Sequence, residues 1–598
     1  MRTLFRVCVA ASLGVTSLVI GAGPAGAELV GGEFVVMHDP SGNRLMGTSS
    51  GEKYGQSTAI SGDGNTMAVG SYFYDSANLQ NIGRVQVYLR NGNSWTQFGG
   101  SIVGETTNED LGFAVSLSDD GTYLAIGSRR TVVSSVTGYG RVQVLKRTAS
   151  GWTPWGSPIV GAGASDMFGL SVALSSNGQV VAVGTASNFA SVYAYDTSTS
   201  QFARRGSAIT LPGTGDAVDV DLSSDGSRVV LGHANYDAGQ LTDAGRVQTY
   251  GWSGSSWSQV GSDLVGIDAG DRFGEDVKIS GDGSVVVTGA SRRDVVGPDN
   301  GTARVYRYSS NSWTQVGLEI TGTETNEYLG SAVEVSSDGS TVAVAALNTD
   351  TVNGGNTGSV RVYSVSNSAL TQIGSAVPGL ETSSAVGALS FDANGRTLVI
   401  GMSSYQGFGA VLPVRRQSGD ASLASVSLSS GSVTVAAGVA SYSVSVPNTV
   451  KSLSVTPRST SPYATVTHSG ANISSGSSFT VSLKTGTNTV SFRVVPETGS
   501  AVDYSIVVTR LPHRLKIKKS MSLAAAMRTV DASVPRGAKV RVSLAAASRR
   551  VCTASPTVVK ALDKTGTCKV VVSVTPKATK KTKKPRTTRT TVTVTVYK

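Results

Sequence analysis

One pattern recurs along the first two-thirds of the chain: a strand of alternating apolar and polar residues, a tight polar turn, then a nearly unbroken apolar run closing on glycine. The turns fall at Asp63-Gly64, Asp120-Gly121, Asn177-Gly178, Asp225-Gly226, Asp282-Gly283, Asp338-Gly339 and Asn394-Gly395. The strands after them read TMAVG, YLAIG, VVAVG, RVVLG, VVVTG, TVAVA and TLVIG. Period-two alternation, as in Ala114 to Ser118, predicts a strand, and a continuous apolar run predicts one buried on both faces. Asp-Gly or Asn-Gly between them predicts a two-residue hairpin with positive φ at both central residues. The recurrent Gly70, Gly127, Gly184, Gly232, Gly289 and Gly401 predict close approach of a neighbouring backbone. A third strand follows at Arg84 to Tyr88, Arg141 to Leu145, Ser191 to Tyr195, Arg246 to Tyr250, Arg304 to Tyr308 and Ser359 to Tyr363; a fourth starts near Trp95, Trp152, Phe202, Trp257, Trp313 and Leu370.

Successive turns are 57, 57, 48, 57, 56 and 56 residues apart, room for four short strands and their loops. A four-stranded sheet repeated seven times buries both faces only by stacking on its neighbours, and radial closure protects the edges that a linear array exposes. The expected fold is all-β, a seven-bladed β-propeller over residues 28–416. Its last copy stops after about three strands, at Ala410 to Val414, and Glu33 to Met46 looks like strand material, so the two ends are expected to share one blade.

The pairs Tyr54-Gly55, Leu111-Gly112, Phe168-Gly169, Phe273-Gly274 and Leu329-Gly330, each followed by an alternating strand and a closing glycine, resemble FG-GAP repeats of the integrin α-subunit type. The resemblance covers most of residues 28–416 and implies a seven-bladed ring with extracellular recognition or adhesion as its role. It departs where calcium-binding copies carry a loop of alternating acidic residues between the first two strands. A tight hairpin stands there instead, so calcium is not expected in those loops.

Behind the repeats the composition shifts twice. Residues 421–511 alternate between strands and Gly, Ser and Asn turns; phrases such as YSVSVPNTVKSLSVTP and TGTNTVSFRVVPETGSAVDYSIVVTR resemble the cadherin-like β-sandwich of secreted bacterial proteins, which implies a spacer or adhesive element. Residues 512–598 resemble, more weakly, basic Ig-like tail domains of secreted actinobacterial proteins. Two small β-sandwich domains are therefore expected after the propeller. From His513 to Lys598 the chain holds 21 Lys and Arg against 2 Asp and Glu, or +19 of the total +11, which leaves −8 on everything before it. The segment Lys577 to Arg589, with Lys580, Lys581, Lys583, Lys584 and Arg586, is either a solvated hairpin tip or a contact for an anionic cell-wall polymer.

The first residues predict export. Arg2 and Arg6 precede the apolar run Val7 to Ile20, and Ala25-Gly26-Ala27 offers small residues for cleavage after Ala27. Cys8 then leaves with the signal, and Cys552 and Cys568 remain as a pair for a disulfide in an oxidising compartment. No later stretch is apolar enough to span a membrane, and the expected location is secreted or cell-wall associated.

Candidate chemistry is sparse. Asp75, Asp237, Asp294 and Asp350 each stand twelve residues past a turn Asp: a partial ring of carboxylates on one rim, or Asx-type braces of their own loops. Glu52, Glu109, Asp166, Asp271 and Glu327 recur before the aromatic or Leu of the FG-like pair, and Arg84, Arg141, Arg246 and Arg304 recur in the third strands; bracing pairs are expected of both sets. Trp95, Trp152, Trp257 and Trp313 are expected in blade packing, with sugar stacking as the alternative. His38, His233, His468 and His513 form no ligand spacing, and neither a nucleophile elbow nor a phosphate loop is present. The expectation is a non-enzymatic recognition or adhesion protein that needs no cofactor, with an extracellular protein or glycan as partner and no specific nucleic acid. The alternatives are a propeller-based carbohydrate-active enzyme and a structural wall protein without a discrete ligand.

Overall fold

The computed structural model describes residues 29–30, 34–131, 136, 138–212, 217–511, 513–516, 520–522, 525, 539–550, 552–562, 566–575 and 587–597. The expected signal segment and the lysine cluster Lys580 to Arg586 lie outside the described residues. Apart from 3-10 turns at Tyr405–Gly407 and Ala546–Ser548, the elements described are strands. The chain divides into two units, residues 1–416 and 417–598.

Seven antiparallel sheets make up the first unit among the described residues. Sheet 1 is typical: Ser57–Ile60, Thr66–Ser71, Arg84–Asn91 and Ser94–Gln97 follow one another, and Ile102–Val103 pairs back onto the third strand. Sheets 2 to 6 repeat that order. Sheet 7 departs from it: after Ala388–Phe391, Thr397–Met402 and Ala410–Arg416, its fourth strand is Phe34–Val36, with Phe34 opposite Arg416 and Val36 opposite Val414. Leu29–Val30 extends that edge, and Leu45–Met46 pairs with Ala410–Arg416, as Ile102–Val103 does with its third strand in sheet 1. The chain start therefore contributes a fourth strand, a fifth outside it, and the short return strand.

Each first strand lies beside the first strand of the next sheet, and Ala388–Phe391 of sheet 7 lies beside Ser57–Ile60 of sheet 1. The apolar second strands are the reason the sheets stack: Met67, Ala68 and Val69, like Val285, Val286 and Val287, are fully buried, because each face is covered by a different neighbour. The strand glycines set the spacing. A Cβ on Gly70 would come 2.1 Å from Gly112 O in sheet 2, one on Gly127 2.1 Å from Gly169 O in sheet 3, and one on Gly401 2.1 Å from Gly55 O in sheet 1.

The turns differ from the two-residue hairpin expected. Only the glycine has positive φ, from +62° at Gly121 to +72° at Gly178 and Gly283. The preceding Asp or Asn instead accepts the main-chain N–H two residues on, as Asp120 Oδ1 does from Thr122 at 2.9 Å and Asp282 Oδ1 from Ser284 at 2.8 Å. A buried serine two residues before the turn residue completes the loop: Ser175, Ser280 and Ser336 donate to the turn side chain and accept the N–H five residues on. This Ser-x-Asp-Gly loop satisfies its polar groups internally, so the left-handed conformation is needed at one position only.

In the second unit, Leu423–Leu428, Ser452–Ser459 and Phe479–Ser482 form one sheet, and Ser441–Val446, Val502–Arg510, Gly486–Val495, Thr465–His468 and Ala471–Ile473 form another. Their inward residues, among them Val446, Leu453, Val455, Val466, Val494 and Ile506, make one core. Arg510 is fully buried and donates to Asn448 O at 2.7 Å and Leu483 O at 2.8 Å. Beyond it, His513–Lys516, Thr588–Tyr597, Gly566–Thr575 and Lys539–Leu544 pair in that order, as do Ser520–Ser522, Val558–Ala561 and Cys552–Ala554. Cys552 and Cys568 are buried and joined by a disulfide.

Candidate functional site

The first strand of every sheet is an edge strand, so its outward N–H groups lack a ladder partner. Side chains from the preceding sheet supply one. Ile60 N donates to Ser390 Oγ at 2.9 Å, Leu174 N to Ser116 Oγ at 3.0 Å and Val220 N to Ser171 Oγ at 3.2 Å. In sheets 4 to 6 carboxylates take over: Val277 N donates to Asp219 Oδ2 at 2.9 Å, Ile279 N to Asp221 Oδ2 at 2.8 Å and Val333 N to Asp276 Oδ2 at 2.7 Å. All of these acceptors stand six or four residues before their turn Asp or Asn.

The seven first strands together line a cavity of about 340 Å³. Its wall is small and neutral on one side, with Ser57, Ser116, Ser171 and Ser390. On the other side Asp219, Asp221, Asp276 and Glu334 surround Lys278, whose Nζ lies 2.9 Å from Asp276 Oδ1. Burial pushes the carboxyl of Asp219 up to about 7, against the pull of Lys278; burial likewise carries Asp221 to about 6 and Glu334 to about 8. Burial opposes the charge on Lys278, but Asp276, Asp219, Glu334 and Asp221 hold its ammonium well above the ordinary lysine value. The wall therefore joins one ammonium to four carboxyls, three of them held above the ordinary carboxylate range by burial. The signal for it lies in the turn alignment: copies 4 to 6 read DVDL, DVKI and AVEV where copies 1 to 3 read STAI, AVSL and SVAL.

The aspartates expected on the rim sit apart from this cavity, each within its own loop. Asp75 Oδ1 accepts the Asn81 N–H at 2.6 Å, Asp237 Oδ1 that of Asp243 at 2.9 Å, Asp294 Oδ1 that of Asp299 at 2.7 Å and Asp350 Oδ1 that of Asn356 at 2.7 Å. Every donor has a positive φ, between 49° and 51°, so the carboxylate braces a left-handed residue. The recurrent acids bridge elements. Glu109 pairs with Arg141 at 2.6 Å and accepts the Glu105 N–H; Glu52 pairs with Arg84 at 2.9 Å; Glu327 pairs with Arg361; Asp271 pairs with Arg293 at 3.1 Å. Arg246 and Arg304 pair instead with Asp263 and Glu319. Trp95 is fully buried, and the indole N–H groups of Trp257 and Trp313 donate to Arg205 O and Val260 O of the preceding sheet. His468 stacks on Phe479 with ring centres 4.0 Å apart. Among the described residues no group of three or more His, Cys, Asp or Glu is placed to hold a metal, and no helix is long and apolar enough to cross a membrane.

A family model, the cadherin-like beta sandwich domain, matches residues 423–511. A search of curated proteins finds no match to the chain.

Proposed function

We propose that this chain is an exported surface protein that recognises a protein or glycan partner, with its seven sheets arranged as the blades of an FG-GAP-like propeller. The observation that carries the reading is the cadherin-like match over residues 423–511, a module suited to an adhesive or surface role, placed directly behind seven copies of one loop-bearing sheet. The cyclic order of the first strands and the cavity they share support the propeller. The disulfide suits an oxidising compartment. In this reading the basic segment 577–589 holds the protein to anionic wall polymer. Incubation of the full chain with glycan arrays and with surface-protein extracts tests recognition: saturable capture is expected, and none on either would end the proposal. Deletion of 577–589 is expected to shift the protein from the wall fraction to the medium at low salt.

The carboxylates around Lys278 favour a second reading, a carbohydrate-active enzyme, because their raised proton affinity suits general acid chemistry. Against it, three of the four carboxylates are committed to main-chain N–H groups of the next sheet. Hydrolysis of a polysaccharide that disappears in both Asp219→Asn and Glu334→Gln would make this the better account.

A further inference from the structure

Sheet 3 departs from its neighbours in four linked ways. Its second and third strands are joined by residues 185–188 alone, where sheet 1 uses residues 72–83 and sheet 4 residues 234–245. The strand registers allow position-by-position comparison: Tyr193 faces Arg204 as Tyr88 faces Gln97, Tyr250 faces Gln259, Tyr306 faces Gln315 and Tyr363 faces Gln372. Either four or two residues before the tyrosine stands an arginine in each other case, buried at Arg84, Arg246 and Arg304 and half-buried at Arg361; sheet 3 has Phe189 and Ser191. The acids that receive Arg246 and Arg304 are Asp263 and Glu319, and the residue in their register is Ala208.

Where an arginine and its carboxylate are packed elsewhere, sheet 3 has a cavity of about 240 Å³. Phe189, Ser191 and Tyr193 alternate along its wall, while Ala190 and Val192 of the same strand face the core on the opposite side. Ser191 is only 2 % exposed and lines the cavity. A hydroxyl on the wall of a cavity can both donate a hydrogen bond to an occupant and accept one from it. Arg204 stands exposed at the rim and pairs with no carboxylate among the described residues. Asp166, the nearest acid of the recurrent set, lies outside the lining and accepts the Gly163 N–H at 2.7 Å. The edge of Phe168 meets Tyr193 with ring centres 6.0 Å apart, which fixes an aromatic wall.

We propose that this cavity binds a single sugar residue that carries a carboxylate: the aromatic wall takes its apolar face, Ser191 and Thr210 its hydroxyls, and Arg204 its carboxylate. Planar bidentate pairing is the strength of a guanidinium, and Arg204, exposed at the rim, offers that fork to an external carboxylate. The volume falls below the usual range of about 300–1,000 Å³ for drug-sized ligands, which limits the occupant to one residue of a chain. The proposal rests on the glycan branch of the recognition reading and names its substrate class.

Calorimetric titration of the full chain with trigalacturonate and with its neutral galactose counterpart tests it. The acidic trisaccharide is expected to bind at least tenfold more tightly. Arg204→Gln, which installs the residue found at that position in four other sheets, is expected to erase the preference with an unchanged melting temperature, and Ser191→Arg, which fills the cavity, to abolish binding of both sugars. Equal binding of the two sugars by the unaltered chain, or full trigalacturonate affinity in Arg204→Gln, would overturn the site. Equal competition by a peptide bearing only a C-terminal carboxylate would overturn its assignment to sugar. Array capture that survives both substitutions would leave surface recognition standing without this pocket, whereas no capture by the unaltered chain removes both.

Discussion

Single residues carry the spacing and the charge balance of the first unit. Gly127 admits Gly169 O at a distance no Cβ tolerates, so Gly127→Ala is expected to cost about 1–3 kcal/mol, as overpacking does. Gly100→Ala, with open space around it, should be near neutral in the same denaturant titration. The Glu109–Arg141 pair is almost wholly enclosed, and removal of Glu109 leaves Arg141 only the exposed Glu105 at 3.6 Å; Glu109→Ala is expected to lose about 3 kcal/mol in equilibrium unfolding. The recurrence of acid and arginine along the chain is readable without coordinates, but the pairing is not. Arg246 pairs with Asp263, and Arg304 shares Glu319 with Arg293, because an arginine reaches several acids and sequence order does not say which. The turns differ from two-residue hairpins for a related reason: the serine two residues earlier satisfies the loop from inside, a part visible only when Ser175, Ser280 and Ser336 are aligned as one position.

Elements explain why the charged cavity is hard to read from the chain. An edge strand needs acceptors for its N–H groups, and either serine or a carboxylate serves, so Asp219 and Asp276 look like ordinary solvent-facing positions of an alternating strand. Only the geometry of seven first strands side by side turns them inward. A pH dependence follows. Asp219, Asp221 and Glu334 bind protons more tightly in the folded chain than in the unfolded one, so between about pH 4 and 8 the folded state holds protons that the unfolded state has released. Their contribution to stability is present in full at acid pH and is lost as the pH rises through about 6 to 8. Lys278, also raised, gives no change in that window. Melting temperatures from pH 4 to 8 should therefore fall less steeply in Asp219→Asn than in the unaltered chain; an identical slope would speak against this proton balance. In the last sheets, the bond from Cys552 to Cys568 closes a 16-residue separation, and its replacement by two serines is expected to cost about 3 kcal/mol by loop-entropy reasoning.

For the whole molecule, seven turn signals and their spacing suffice to foretell seven sheets, because each copy carries the same buried strand and the same need for neighbours. The sharing of sheet 7 between the two ends of the first unit is legible too, from a last copy that stops one strand short. The register of Phe34 against Arg416 has a bearing on how the protein is made. Its earliest strands must wait for a partner translated almost four hundred residues later, so the first unit cannot be completed until Ala410–Arg416 has emerged. Such long-range closure is slow. Deletion of Ala410–Arg416 alone should accordingly be far more damaging than its small loss of mass suggests, because it leaves Phe34–Val36 and Thr397–Met402 as bare edges open to association with other chains.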